Sequence, residues 1–141
     1  MPGLLLDTHA FYWFVTGAET LSDEAIGAIA EHQLAGTLYV SPISAWELAL
    51  AVRKPHNPPL LGEPSVGNWF SKAMRSTAAK LAPINRKVAI EAAEVVAVTG
   101  HKDPGDCYLI STARVRHIPI VTRDGILLRM ASQAYLSVIQ C

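Results

Sequence analysis

The chain has 141 residues, half of them hydrophobic and 17% charged, with 12 basic and 12 acidic side chains that cancel. With a mean hydropathy of +0.25, that composition excludes a disordered chain. It describes one core-rich domain, over residues 1–141, that buries roughly two thirds of its unfolded surface. Zero net charge implies no polyelectrolyte contact, so any nucleic-acid binding must use local patches or bound cations.

The first expected element is a strand at Gly3 to Leu6, a continuous apolar run of the kind buried on both faces of a parallel sheet. The segment "LSDEAIGAIAEHQLAG" has helical marks: Ser22 as N-cap, Asp23 and Glu24 in the first turn, Gly36 at the exit. A second strand is expected at Thr37 to Ser41, followed by a helix from Ser44, "SAWELALAVRK", which the four prolines of "KPHNPPLLGEP" end in a surface loop close to a binding face. "VGNWFSKAMRSTAAK" reads as a helix, "LAPI" as an edge strand, and "RKVAIEAAEVVAVTG" as a helix closed by Gly100. The remaining elements are a helix in "DPGDCYLISTARVR", a strand at Ile118 to Thr122, a short helix around "ILLRM", and a last strand in "YLSVIQ". Alternating strands and helices predict an α/β sandwich with a mainly parallel sheet and right-handed crossovers.

In such folds the site lies at the carboxyl ends of the strands. Asp7 ends the first strand, Glu47 falls in the first turn of the helix after the second, and Asp124 follows the strand at Ile118 to Thr122. Asp103 and Asp106, in "HKDPGD", flank the start of a helix that should open on the same edge. Singly, each acid has a capping explanation. Asp7 could cap the following helix, Asp124 before Gly125 could form an Asx turn, and Ser44 to Glu47 fits a capping box. Asp103 before Pro104 has the composition of an N-cap with proline at N1.

Together they point to chemistry. Two carboxylates about 4 Å apart repel by roughly 4 kcal/mol at an effective dielectric of about 20, so a cluster needs protons or a cation. Oxygen-only ligation selects Mg²⁺ or Mn²⁺. Such an ion can polarise a phosphate oxygen and help deprotonate an attacking water, so phosphoryl chemistry needs no covalent nucleophile.

The elements "LLLDTH" with "FYW" after it, "VSPISAWELAL", "HKDPGDCYLISTA" and "IPIVTRDGILL", in that order, resemble PIN-domain ribonucleases of the VapC toxin type across nearly the whole chain. The resemblance implies a PIN-like three-layer α/β/α sandwich. It also implies Mg²⁺ or Mn²⁺ held at Asp7, Glu47, Asp106 and Asp124, with Asp103 nearby, and hydrolysis of single-stranded RNA by metal-activated water. A homodimer and a VapB-like antitoxin, whose peptide fills the acidic groove, are further implications. Cys107 departs from the pattern, which usually has a basic residue there, and so removes a charge contact that would orient Asp106 or a phosphate.

Other candidates come from the residues themselves. Thr8 and Thr122 each neighbour an acid and could hold a carboxylate in position, or cap a helix. His9 and His101 lie near the acidic edge, with no role as general base assigned to either. Arg53, Lys54, Lys72, Arg75 and Arg123 are candidate phosphate contacts. Trp13, Trp46 and Trp69 could stack on bases or belong to core and interface, and "FYWFV" suits a dimer or antitoxin contact. Two cysteines without clustered spacing, and no long apolar run, lead to an expected cytoplasmic protein outside the membrane. A haloacid-dehalogenase-like phosphatase would need an aspartate where His9 stands, and a receiver domain would need an early acidic pair. A PIN-like module that binds RNA or protein without cutting is the alternative outside enzyme chemistry.

Overall fold

The computed structural model describes residues 3–141. In chain order its elements are β1 (Leu4–Leu6), α1 (Thr8–Thr16), α2 (Asp23–Ala35), β2 (Leu38–Val40), α3 (Pro42–Ala51) and α4 (Val66–Thr77). There follow β3 (Lys80–Leu81), α5 (Arg86–Thr99), α6 (Pro104–Arg116), β4 (Ile120–Thr122), α7 (Gly125–Ser132) and β5 (Val138–Gln140). The strands form one parallel sheet in the order β3-β2-β1-β4-β5.

The central position of β1 explains its unbroken apolar run. Successive side chains on a strand point to opposite faces, and both faces here are covered. Leu4 and Leu6 pack with Phe11, Ile29, Leu48, Trp69 and Phe70 from α1 to α4. Leu5 packs on the other side with Val95, Ile110, Leu127 and Met130 from α5, α6 and α7. Helices on both faces of a parallel sheet make the three-layer α/β/α sandwich expected of a PIN-like chain.

The strands are shorter than the apolar runs that announce them. The Ile118 N–H bonds to Ala113 O of α6 and the Tyr135 N–H to Met130 O of α7, so those residues close the preceding helices before β4 and β5 begin. The edge strand in "LAPI" is confined to Lys80 and Leu81. One helix boundary needs correction. α3 begins at Pro42, with Ser41 as its N-cap accepting from the Ile43 N–H at 3.0 Å, so Ser44 lies inside the helix and Glu47 in its second turn. Proline at N1 has its φ already set for a helix and no N–H to lose, which favours the earlier start over the Ser44 capping box.

The residues between α3 and α4 form no helix or strand, in keeping with their prolines. Among the described residues, no helix is long and apolar enough to cross a membrane. Cys107 and Cys141 are buried free thiols.

Candidate active site

The strand order reverses at β1: β2 and β3 lie on one side, β4 and β5 on the other. A crevice beyond the strand ends is expected at such a point. Asp7 follows the last residue of β1 directly, and its backbone N–H continues the ladder to Val121 O of β4 at 3.1 Å. Its side chain is the N-cap of α1, with Oδ1 accepting from the Ala10 N–H at 2.7 Å. Oδ2 accepts from the Thr122 hydroxyl at 2.5 Å, and that hydroxyl accepts in turn from the Asp124 N–H at 3.1 Å. One threonine at the end of β4 therefore joins the first acid to the last.

Asp124 caps α7, accepting from the Ile126 and Leu127 N–H groups at 2.8 and 3.3 Å. Asp103 caps α6, with Oδ1 accepting from the Asp106 N–H at 3.0 Å. The capping explanations thus hold for Asp7, Asp103 and Asp124, and they do not compete with a shared site. Caps at the starts of α1, α6 and α7 gather because those helices all open at the carboxyl edge of the sheet.

Glu47 arrives from α3. Its Oε1 accepts from the Thr8 hydroxyl at 2.5 Å, and the Ser44 hydroxyl lies 2.9 Å from the same oxygen of Thr8. Thr8 gives its one proton to Glu47, so Ser44 is the donor to Thr8. A Cβ added at Gly105 would collide with the Glu47 carboxylate, so Glu47 lies directly over the first turn of α6 beside Asp106. Asp106 in turn has Oδ2 2.7 Å from Nε2 of His101.

The electrostatics follow from this packing. Burial pushes the Asp7, Glu47 and Asp106 carboxyls above the usual carboxylate range in each case as the leading cause. The charge of Asp106 adds to the rise at Asp7 and Glu47, and those of Asp103 and Asp124 add to it at Asp106. Hydrogen bonds from Thr122, Thr8 and His101 oppose it at Asp7, Glu47 and Asp106 respectively. Among the described residues no three His, Cys, Asp or Glu side chains are drawn to within ligating distance of a common point. The acids are gathered without being clenched, the arrangement that mutual repulsion favours. As a donor set, carboxylate oxygens from Asp7, Glu47, Asp106 and Asp124 fit a hard divalent cation, which would offset the burial, and with it the repulsion, that raises three of them.

Two grooves flank α1 where the acids open outward. One, of about 390 Å³, is lined by Thr8, Tyr12, Trp13, Glu47 and Lys54 and walled by Asn57, Pro58 and Pro59 of the proline-rich loop. The other, of about 250 Å³, is lined by Asp7, His9, Trp13, Arg123 and Asp124. Of the cations singled out in the sequence, Lys54 and Arg123 reach these grooves. The Arg123 guanidinium is committed to Thr20 O at 2.8 Å, Cys141 O at 2.7 Å and Glu19 at 3.4 Å, and it lies 4.5 Å from the Trp13 ring centre. Lys72 pairs with Glu63 at 3.2 Å, away from both grooves, and the exposed Arg53 and Arg75 line neither. Trp69 belongs to the core, Trp13 is half-buried and Trp46 is exposed on α3. Sequence reasoning passed over Gly105 and gave Ser44 and His101 no part in the site, because what they do depends on which side chain arrives from another element.

The family model described as PIN domain matches residues 4–133. This chain belongs to the PIN domain family. Three solved structures share the PIN fold seen here. VapBC2 from Rickettsia felis, bound to a DNA fragment from its promoter, aligns with a TM-score of 0.66 at 14% identity, covering 98% of both chains. DNA-bound VapBC from Salmonella typhimurium gives 0.67 at 14% identity, covering 99% of this chain and 98% of that one. VapBC-5 from Mycobacterium tuberculosis, a member of the VapBC family of toxin-antitoxin systems, gives 0.62 at 18% identity and covers both chains fully. No curated protein sequence matches this PIN domain.

Proposed function

We propose that this PIN domain is a Mg²⁺- or Mn²⁺-dependent endoribonuclease that hydrolyses single-stranded RNA, and that it serves as the toxin of a VapBC-type pair. The observation that carries the reading is the meeting of Asp7, Glu47, Asp106 and Asp124 at one edge of the sheet, with three of the four held above the usual carboxylate range. Structural neighbours that are VapBC complexes support the toxin assignment and a VapB-like antitoxin as partner. A homodimer and a cytoplasmic location belong to the same reading.

In the mechanism, those four acids would hold the cation, and Asp103 sets the start of α6. When bound, the cation supplies charge neutralisation at the scissile phosphate and lowers the cost of deprotonating an attacking water. The chain's own residues do the positioning. Thr122 fixes Oδ2 of Asp7, and Thr8, itself held by Ser44, fixes Oε1 of Glu47, whose Oε2 lies against Gly105. Lys54, which lines the same groove as Glu47, serves as a phosphate contact, while Trp13 and Tyr12 line the groove as apolar surface for bases.

The test is incubation of purified protein with assorted RNAs, in Mg²⁺ or in chelator, with mapping of the product ends. We expect endonucleolytic cuts in Mg²⁺, none in chelator, and a loss of more than about 100-fold in Asp7→Asn and Asp106→Asn. The second reading is a PIN-like module that binds RNA or protein without cutting, since a fold does not by itself fix an activity. It predicts RNA or protein binding with no cuts in any divalent cation. Equal cleavage by wild type and both variants would remove the acids from the mechanism.

A further inference from the structure

Each of the three raised carboxyls has one side-chain donor, and each donor comes from a different part of the fold. Thr122 at the end of β4 serves Asp7, and Thr8 at the start of α1 serves Glu47. The donor to Asp106 is the ring of His101, in the short connection between α5 and α6, with Nε2 2.7 Å from Oδ2. A carboxylate only accepts, so Nε2 is the protonated ring nitrogen.

His101 is itself held at three points. Its backbone N–H donates to the Thr99 hydroxyl at 3.1 Å, its carbonyl accepts from the Cys107 thiol at 3.2 Å, and its ring is bound to Asp106. The side chains of His101 and Asp106 are only 17% and 22% exposed. His101 also lines a cleft of about 570 Å³ between α5 and α7, with Ile126, Arg129, Met130 and Gln133. The Asp106 backbone is already fixed by the Asp103 cap. The bond to His101 is therefore not needed to start α6; what it fixes is the direction of the carboxylate. Asp103, Asp124, Glu47 and Asp7 all bear on that group as like charges, and an unheld Asp106 would turn away from them toward water.

We infer that His101 is a positioning residue for the cation site: it holds Oδ2 of Asp106 so that Oδ1 faces the crevice shared with Asp7, Glu47 and Asp124, and Cys107 is the residue that holds His101. This rests on the reading of Asp106 as a cation ligand. The inference separates His101 from a general base, since the ring acts through Asp106 and touches no reacting atom. It also gives the buried Cys107 thiol a task in the loop, as the donor that fixes the His101 carbonyl.

The test is calorimetric titration of Mn²⁺ into wild type, His101→Ala, His101→Gln and His101→Asn. A glutamine amide nitrogen can take the place of Nε2, whereas that of asparagine falls at the place of Nδ1. We expect the Mn²⁺ Kd to rise about tenfold or more in His101→Ala and His101→Asn. In His101→Gln it should stay within about threefold of wild type. Equal Kd values in all the proteins, or no rescue by glutamine relative to asparagine, would overturn the inference while leaving the cation site standing. If His101→Ala fails to fold, the glutamine and asparagine variants decide the matter between them. Absence of Mn²⁺ binding by wild type would overturn the proposed function, and this inference with it.

Discussion

Thr122 makes two contacts through one oxygen: it donates to Asp7 Oδ2 at 2.5 Å and accepts from the Asp124 N–H at 3.1 Å, in a fully buried position. Thr122→Val keeps the shape and removes both. With the Asp7 carboxylate and the Asp124 amide left short of a partner, the expected destabilisation is about 1–3 kcal/mol by denaturant titration. A Mn²⁺ affinity lower by about 10-fold or more should accompany it. Loss of stability with unchanged affinity would make Thr122 a plain strand-end residue. At this scale the sequence was informative about which residue types gather and silent about which atoms meet. Thr8 and Thr122 stood out because each lies within two residues of an acid in the chain. The bond from His101 to Asp106 spans five residues across a turn whose path nothing local specifies.

Among the elements, α3 and α6 decide where Glu47 sits. Ser41 caps α3, so Ser41→Ala should cost about 1 kcal/mol, measured by chemical denaturation. Ser44→Ala, which removes only the donor to Thr8, should cost less. The reverse order would restore the capping box. In the sequence, "SPISAWE" offers both starts, and the choice goes to the one with proline at N1. Gly105 raises a related point. Alanine is the better helix former by about 1 kcal/mol, yet its Cβ would strike the Glu47 carboxylate. Gly105→Ala should therefore leave α6 formed, by circular dichroism, while RNA cleavage falls by about 10-fold or more as Glu47 is displaced. Wild-type cleavage by Gly105→Ala would show that Glu47 is not needed where the structure puts it. Helices with both ends marked, such as α2 between Ser22 and Gly36 or α5 ending at Gly100, were legible to within a residue. Strand limits were not, because hydrogen bonds to the preceding helices claim Ile118 and Tyr135.

For the whole molecule, the parallel sheet and its reversal at β1 place four separate stretches of chain at one edge, a relation that alternating strands and helices already implied. The consequence is a dependence of stability on pH. The folded values for Asp7, Glu47 and Asp106 lie above the usual carboxylate range, so the folded protein binds protons more tightly than the unfolded chain. The stabilisation this gives is complete below the ordinary carboxylate values and is lost as pH rises through the raised ones. A divalent cation acts in the opposite sense. It binds the ionised acids, so its effect on stability grows as they lose their protons. Both trends have the same origin, buried carboxylates that repel one another until something positive joins them.

The direct measurement is thermal unfolding of wild type and Asp106→Asn, with Mn²⁺ and with chelator, from about pH 4 upward across the range in which carboxyl groups titrate. In chelator the wild-type Tm should fall as pH rises through the raised values, and Asp106→Asn should show a shallower fall. Mn²⁺ should raise the wild-type Tm by an amount that grows with pH, with most of that gain gone in Asp106→Asn. A Mn²⁺ effect that is absent, or equal in the two proteins at every pH, would contradict a cation site built from these acids.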